Sequence, residues 1–362
     1  MNFDYSDEQK FLKEEARKFL AAKCGADRVR AVLEGDHAYD AELWREVAAQ
    51  GWLGAAIPEA HGGLGLGHVE LCAIAEELGR ACAPIPFAST VYFVAEALMR
   101  FGSEAQQAKW LPKIAAGEVI GAFATSEGPG PVGAVKTRVT GGKLTGTKIP
   151  VTDGDVADLI VALADDGLYL VERGEGVVAE ALSTLDPTRS AAKLTFTDAP
   201  AERLGDEGGH TAMQAVFDRA AVLLAFEQLG GADRCLEMAK DYALQRHAFG
   251  RVIAGYQAIK HKLADIYVKN EVARSNAYYG AWALNSGAAE LPLAAAIARV
   301  AASEAFWFAA KENIQTHGGV GFTWEYDCHL FYRRSRQLAL VAGAPAEWRE
   351  RLVGQLETRN AA

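Results

Sequence analysis

At 362 residues, half of them hydrophobic, the chain is too long for one small core and invites a division into two or three domains. Its 37 Lys and Arg against 47 Asp and Glu give a net charge of -10. That balance disfavours sequence-independent nucleic-acid binding, which needs a basic face to displace counterions. Five cysteines, Cys24, Cys72, Cys82, Cys235 and Cys328, stand without a CxxC pair, so buried reduced thiols are expected, with neither a zinc site nor a disulfide framework.

Residues 1–8 are polar and acidic and no run of about eighteen apolar residues follows, so a cytoplasmic chain without signal peptide or membrane span is expected. Ser6 and Gln9 form a capping box before a helical stripe of Leu12, Ala16, Phe19 and Leu20. Asp40 caps a helix carrying Leu43, Trp44 and Val47. Residues 51–67, rich in glycine and with one proline, read as a loop running close to other backbone. Helices are expected over 69–83 and 86–101, kept apart by Pro84 and Pro86. A second capping box, Ser103 with Gln106, opens the last helix of an N-terminal α-helical domain spanning 1–118.

From Val119 the texture changes. Short β-prone runs at 120–125, 143–151, 159–164, 168–172 and 193–196 alternate with glycine, which predicts a small β-barrel-like middle domain over 119–205. Residues 206–362 are again helical and suit an antiparallel four-helix bundle. The fold class is therefore α+β, mostly α. In the first long helix of the bundle Met213, Val216, Phe217, Ala220, Leu223 and Leu224 recur at three-and-four spacing. Glu227 is the next inward member. Desolvation there would raise its pKa toward the range of a general base, although a carboxylate at that place equally serves as partner of a buried arginine or as a hydrogen-bond acceptor. A turn at Phe249-Gly250 separates this helix from a second stripe of Ile259, Leu263, Ile266 and Tyr267. Around the turn Arg246, His247, Arg251, Gln257, Lys260 and His261 gather more donors than a connector requires. The histidines are too dispersed for a metal site, and no HExxH or GxSxG occurs.

Arg246-His-Ala-Phe-Gly250 followed by Tyr256-Gln257 and His261, then Gln315-Thr-His-Gly-Gly319, Gly321-Phe-Thr-Trp324, Tyr326 and Arg333-Arg334, resemble the signature of the acyl-CoA dehydrogenase family along nearly the whole chain. The resemblance implies a helical, β and helical arrangement with FAD as cofactor and an acyl-CoA thioester as substrate. It further implies an electron acceptor such as an electron-transfer flavoprotein. Arg246, Phe249 and Gln257 would reach the FAD of a neighbouring subunit, and Gln315, Gly318 and Gly319 would hold its adenine end. Such sharing implies a homo-oligomer, dimer or tetramer, or a hetero-oligomer with a second family chain. Asp218 resembles the position near CoA; its alternative is an exposed helix charge.

Departures from the family pattern are as informative. The segment that wraps the flavin ring is shortened to Thr125-Ser-Glu-Gly-Pro-Gly-Pro-Val-Gly133, leaving Thr125 and Ser126 as donors. Pro150 stands where a tryptophan usually flanks the flavin, though Thr152 survives as a donor to its edge. The two positions that usually carry the catalytic glutamate hold Ala220 and Ala342. Two functions therefore follow from the resemblance. One is a complete dehydrogenase in which Glu227 removes the Cα proton while hydride leaves Cβ for FAD. The other is a non-catalytic subunit that completes a partner's FAD site.

Overall fold

The structure, a computed structural model, describes residues 5–361; the first four residues of the polar opening stretch lie outside it. Three helices lead the chain: α1 (Asp7–Lys23), α2 (Ala26–Glu34) and α3 (Ala41–Ala49). Ser6 and Gln9 form the expected reciprocal cap of α1, and the Asp40 carboxylate accepts from the amides of Glu42 and Leu43 at the start of α3. Helix α4 (His68–Arg80) follows the glycine-rich loop. The region expected as one helix after Pro86 is a π-helical stretch, Ala88–Ala95, running into α5 (Glu96–Phe101). Such wide turns cluster at functional sites. Ser103 and Gln106 again form the reciprocal cap of α6 (Glu104–Ala115).

The β region holds β1 (Gly121–Ala124), β2 (Arg138–Thr140), β3 (Lys143–Thr152), β4 (Leu159–Leu163), β5 (Leu168–Glu172), β6 (Val177–Ala181), β7 (Ala191–Pro200) and β8 (Glu202–Leu204). They form two four-stranded sheets ordered β1-β4-β5-β8 and β2-β3-β7-β6. Only the β1–β4 pairing is parallel. Inward residues of both sheets, among them Leu144, Val151, Ile160, Val171, Leu194 and Phe196, share one buried cluster. Strands β2, β6 and β8 carry half-exposed, weakly patterned sequences, so periodicity alone did not bring them out.

The remainder is helical: α7 (Gly209–Gln245), a two-stranded hairpin β9 (His247–Ala248) and β10 (Arg251–Val252), α8 (Gln257–Ser286), α9 (Leu291–His317), α10 (Cys328–Leu340) and α11 (Pro345–Ala361). Alanine supplies much of the buried face of α9, from Ala294 to Ala310, which favours helix and lets neighbouring backbones come close. By length and composition Leu291–Phe322 could cross a membrane, but 67% of its apolar window is buried within the protein. Ile266 is buried as the stripe on α8 predicts, whereas Tyr267 points outward with Val268 and Val272. The inner seam is carried on instead by Ala273, Ala277 and Ala281, so the stripe expected from sequence is one residue too wide.

By contacts the chain falls into two units: the chain up to Val29, Cys72–Ala83 and Ala221 onward form one, and Arg30–Leu71 with Pro84–Ala220 form the other. Within the first, α4 and α7 touch backbone to backbone. A Cβ on Gly79 would lie 1.8 Å from the Glu227 carbonyl oxygen, and one on Gly230 would lie 1.7 Å from that of Glu76. Neither glycine can be replaced without separating the helices. Around this crossing Glu76 is bonded by Lys13 at 2.6 Å and Arg274 at 2.7 Å, and Arg274 also reaches Asp233. Burial opposes ionisation of Glu76, but these two cations outweigh it and hold its pKa below the usual carboxylate range. All five cysteines are free and buried, as expected.

Candidate functional site

The residues singled out from sequence divide between the two units. In the first, α7 ends at Gln245 and the chain turns back through β9 and β10, which pair Arg251 with Ala248 and Val252 with His247. Phe249 and Gly250 form the tip, both with positive φ. Phe249 is 97% exposed. The hairpin is braced by the Tyr256 hydroxyl donating to the Ala248 carbonyl at 2.8 Å and by Arg251 lying 4.0 Å from the Tyr256 ring centre. Gln257 is the first residue of α8, so the positive end of a thirty-residue helix opens here.

Aromatic stacking joins this end of α7 to the end of α9. Tyr242, one turn before Arg246, stacks on His317 at 4.2 Å, and Tyr326 meets both rings edge-on. His317 sits between Gln315 and Gly318, so Arg246 and the Gln315–Gly319 loop share one end of the bundle. Burial pushes the His317 pKa below its ordinary value, which keeps the ring neutral and suited to stacking. Arg246, Gln257, Gln315, Gly318 and Gly319 are all exposed. Gly318 has φ +65 with nothing within 4 Å of a would-be Cβ. Arg246 makes no ion pair with the described residues; the cation is unspent.

Glu227 has a different setting. It is 1% exposed, as its place on the inner stripe predicts, and its Oε1 lies 3.7 Å from Nη1 of Arg334, which is fully buried. Arg334 also donates to the carbonyls of Ala83 at 3.3 Å and Cys82 at 3.5 Å. A second buried cation, Arg299, is driven down by burial to a pKa of about 9, and the charge of Glu227 pulls the other way. Arg299 donates to Gln228 at 2.8 Å, to the Val341 carbonyl at 2.6 Å and to the Leu338 carbonyl. Glu227 thus serves as the anionic neighbour of two arginines. Arg299 in turn pins the loop that contains Ala342. Ala342 has φ +62 and its carbonyl accepts from the Trp348 indole at 3.0 Å. Glu347, in the first turn of α11, accepts the amide of Ala344 at 3.0 Å.

In the second unit, the shortened Thr125–Gly133 segment is organised by Glu127, which sequence reading passed over. Its carboxylate accepts from Lys148 Nζ at 2.9 Å, the amides of Lys136 and Thr137 at 2.9 Å each, and the Thr137 hydroxyl at 2.7 Å. Burial disfavours its charge, yet these donors prevail and bring its pKa down to about 2. Lys148 is buried, and burial pushes its ammonium below the usual lysine range despite the pairing. The ion pair is therefore obligatory. The Ser126 hydroxyl is spent on the Gly128 carbonyl at 2.7 Å, and Thr125 gives its carbonyl to Lys148. Thr152 ends β3 beside Asp153, which accepts from the Ser89 hydroxyl at 2.6 Å. A charge buried at the foot of a short glycine loop leaves no periodic signal.

Asp218 is buried, unlike an exposed helix charge. It flanks Phe217, which meets Phe93 and Phe123 in an aromatic trio, and Arg219, which binds the fully buried Glu96 at 2.5 Å. Glu96 also accepts from His68 at 2.7 Å. Burial raises its pKa, but His68 and Arg219 hold it below the usual range.

Comparison with known proteins decides the family. Models of the acyl-CoA dehydrogenase N-terminal and C-terminal domains match residues 6–118 and 206–353. The chain belongs to the acyl-CoA dehydrogenase family. Acyl-CoA dehydrogenase IpdE2 of Mycobacterium tuberculosis is 35% identical over 97% of this chain and 98% of its own length. Among solved structures, butyryl-CoA dehydrogenase from Megasphaera elsdenii superposes with a TM-score of 0.91 at 27% identity, covering 98% of this chain and all of that one. The ChsE4–ChsE5 complex of Mycobacterium tuberculosis gives 0.90 at 28% identity over 99% of both chains. Acyl-CoA dehydrogenases are FAD-dependent oxidoreductases of acyl-CoA thioesters, and both the expected fold and the expected cofactor stand.

Proposed function

We propose that this acyl-CoA dehydrogenase chain works as a subunit of a hetero-oligomer: it presents Arg246, Gln257 and Gln315 to the FAD of a second family chain, which supplies the base. The observation that carries this reading is the engagement of Glu227. Its carboxylate is buried beside Arg334 and Arg299, and the two positions where the family usually carries its glutamate hold methyl groups. A base must meet the substrate's Cα proton and must be free to accept it.

The cofactor fits the two parts of the chain unequally. The bundle end offers an unpaired guanidinium, two carboxamides, a helix N-terminus and an open glycine backbone, a donor set suited to pyrophosphate and ribose. In the β region the Ser126 hydroxyl is internally bonded, Glu127 is consumed by Lys148, and Pro150 offers no aromatic face. Bound FAD would supply the hydride acceptor for the substrate's Cβ. This chain's part is to hold the phosphates and ribose with Arg246 and Gln257, to hold the adenine end with Gln315, Gly318 and Gly319, and to exclude water with the Phe249 ring. Asp218 would lie along the CoA. The existence of a two-chain relative, the ChsE4–ChsE5 complex, supports such a division of labour, and an electron-transfer flavoprotein is the natural acceptor.

The test is the chain purified alone. It should carry far less than one FAD per chain and fail to reduce dye with acyl-CoA. A homo-oligomer with stoichiometric flavin that bleaches on adding substrate would overturn the proposal.

A further inference from the structure

Within the first contact unit, and apart from every residue assigned above, lies a cavity of about 350 Å³ between α1, α4, α7 and α10. One wall is apolar, formed by Leu20, Val29, Met238, Leu330 and Phe331. The other carries three arginines, Arg17, Arg80 and Arg234. Their donors are spent to very different degrees. Arg17 gives Nε and Nη2 to the two oxygens of Glu77, at 3.0 and 2.8 Å, a bidentate pair. Arg80 donates Nη1 to Glu237 at 2.6 Å, but its buried Nε has no hydrogen-bond partner among the described residues. The nearest carboxylate oxygen, on Glu77, is 3.6 Å away. Arg234 makes only a long 3.4 Å contact with the same Glu237. A buried guanidinium N–H left unmade is costly; Arg80 and Arg234 line the cavity together with Glu77 and Asp327, and Arg234 has the fewer of its donors engaged.

We propose that this cavity binds a medium-chain carboxylate, its alkyl tail against the α1 and α10 wall and its head group against the guanidinium groups of Arg234 and Arg80 that line it. A planar carboxylate matches a guanidinium edge. Asp327 on the cavity lining disfavours a dianionic head such as a phosphate monoester, so a monoanion is selected. The volume corresponds to about a dozen groups at roughly 30 Å³ each, the heavy-atom count of decanoate, and sits at the small end of ligand pockets. Each methylene added up to that length should tighten binding about four-fold. A medium-chain acid is what hydrolysis of a medium-chain acyl-CoA releases, so the site would report that hydrolysis.

The experiment is calorimetric titration of the assembled protein with hexanoate, octanoate, decanoate and 1-decanol, repeated on two variants. Ala21 lines the cavity yet is exposed, so Ala21→Trp closes it without touching the core. Arg234→Ala, also largely solvent-accessible, removes one head-group donor. The expected result is one saturable decanoate site per chain, a rise in affinity with chain length, a loss of at least about ten-fold in Ala21→Trp, and in Arg234→Ala a loss for decanoate without a loss for decanol. Decanoate bound equally well by Ala21→Trp and the parent would place the acid elsewhere and overturn the proposal. So would the absence of saturable binding at millimolar concentration, or decanol binding as tightly as decanoate. Thermal unfolding of both variants checks that they are folded, and either one alone decides the outcome.

Discussion

Replacing Glu227 by glutamine separates its two readings, because each moves a different observable. In the structure the carboxylate is the anionic neighbour of Arg334, which is fully buried, and it bears on Arg299 as well. The amide keeps size and hydrogen-bonding capacity but withdraws the negative charge. Arg334 then loses its carboxylate and keeps carbonyl acceptors such as those at 3.3 and 3.5 Å. Breaking one partner of a buried pair costs about 3–5 kcal/mol, which at roughly 2 °C per kcal/mol for a chain of this size lowers the melting temperature by about 6–10 °C. Neutralising both groups, Glu227→Gln with Arg334→Met, should recover part of that loss, since no uncompensated charge is then left from the pair. The assay is thermal unfolding of the assembled protein followed by fluorescence, paired with single-turnover flavin reduction by acyl-CoA. If Glu227→Gln melts within about 1 °C of the parent while flavin reduction slows by about two to four orders of magnitude, the carboxylate is the base and the structural reading is refuted.

Three further outcomes are expected. Arg246→Ala, at an exposed position without an ion pair, should leave the fold intact yet lower the flavin content of the assembly; unchanged FAD retention would remove the residue from the site. The Glu127 pKa is depressed to about 2 from 4.5, so its stabilising contribution is full above about pH 4.5 and is lost as pH falls toward 2. Glu127→Gln should therefore flatten the acid limb of the unfolding profile, and an unaltered limb would mean that the pairing is inconsequential. Gly230→Ala forces a Cβ to within 1.7 Å of the Glu76 carbonyl. It should destabilise by about 3 kcal/mol or more, measured by denaturant unfolding, and a variant as stable as the parent would contradict the α4–α7 contact.

Local chemistry was read well from the chain, and distant pairing was not. The capping boxes at Ser6 and Ser103 and the Asp40 cap depend on residues within one turn, so they are visible as strings. Glu227 was placed inside by the period of its neighbours. Its partner Arg334 lies on another helix far along the chain, and nothing in either segment announces the other. The same applies to the half-buried Glu127 with buried Lys148 and to the buried Glu96 with Arg219 and His68, each a carboxylate whose cation comes from a separate element. Tyr267 shows the opposite error: an aromatic at helical spacing was assigned inward, although small alanines already fill that face of α8.

Phe249 carries a cost that the proposed assembly would relieve. A phenyl ring almost wholly in water, on a residue held at φ +49, combines unfavourable solvation with backbone strain of about 1 kcal/mol or more. Both are offset once a neighbour covers the hairpin. In the proposed hetero-oligomer, a newly made copy without that neighbour would display an adhesive apolar tip and would be exposed to chaperone capture and proteolysis until it docked. The proposal thereby ties the lifetime of the chain to the supply of its counterpart, with synthesis in matched amounts and a self-limiting surplus.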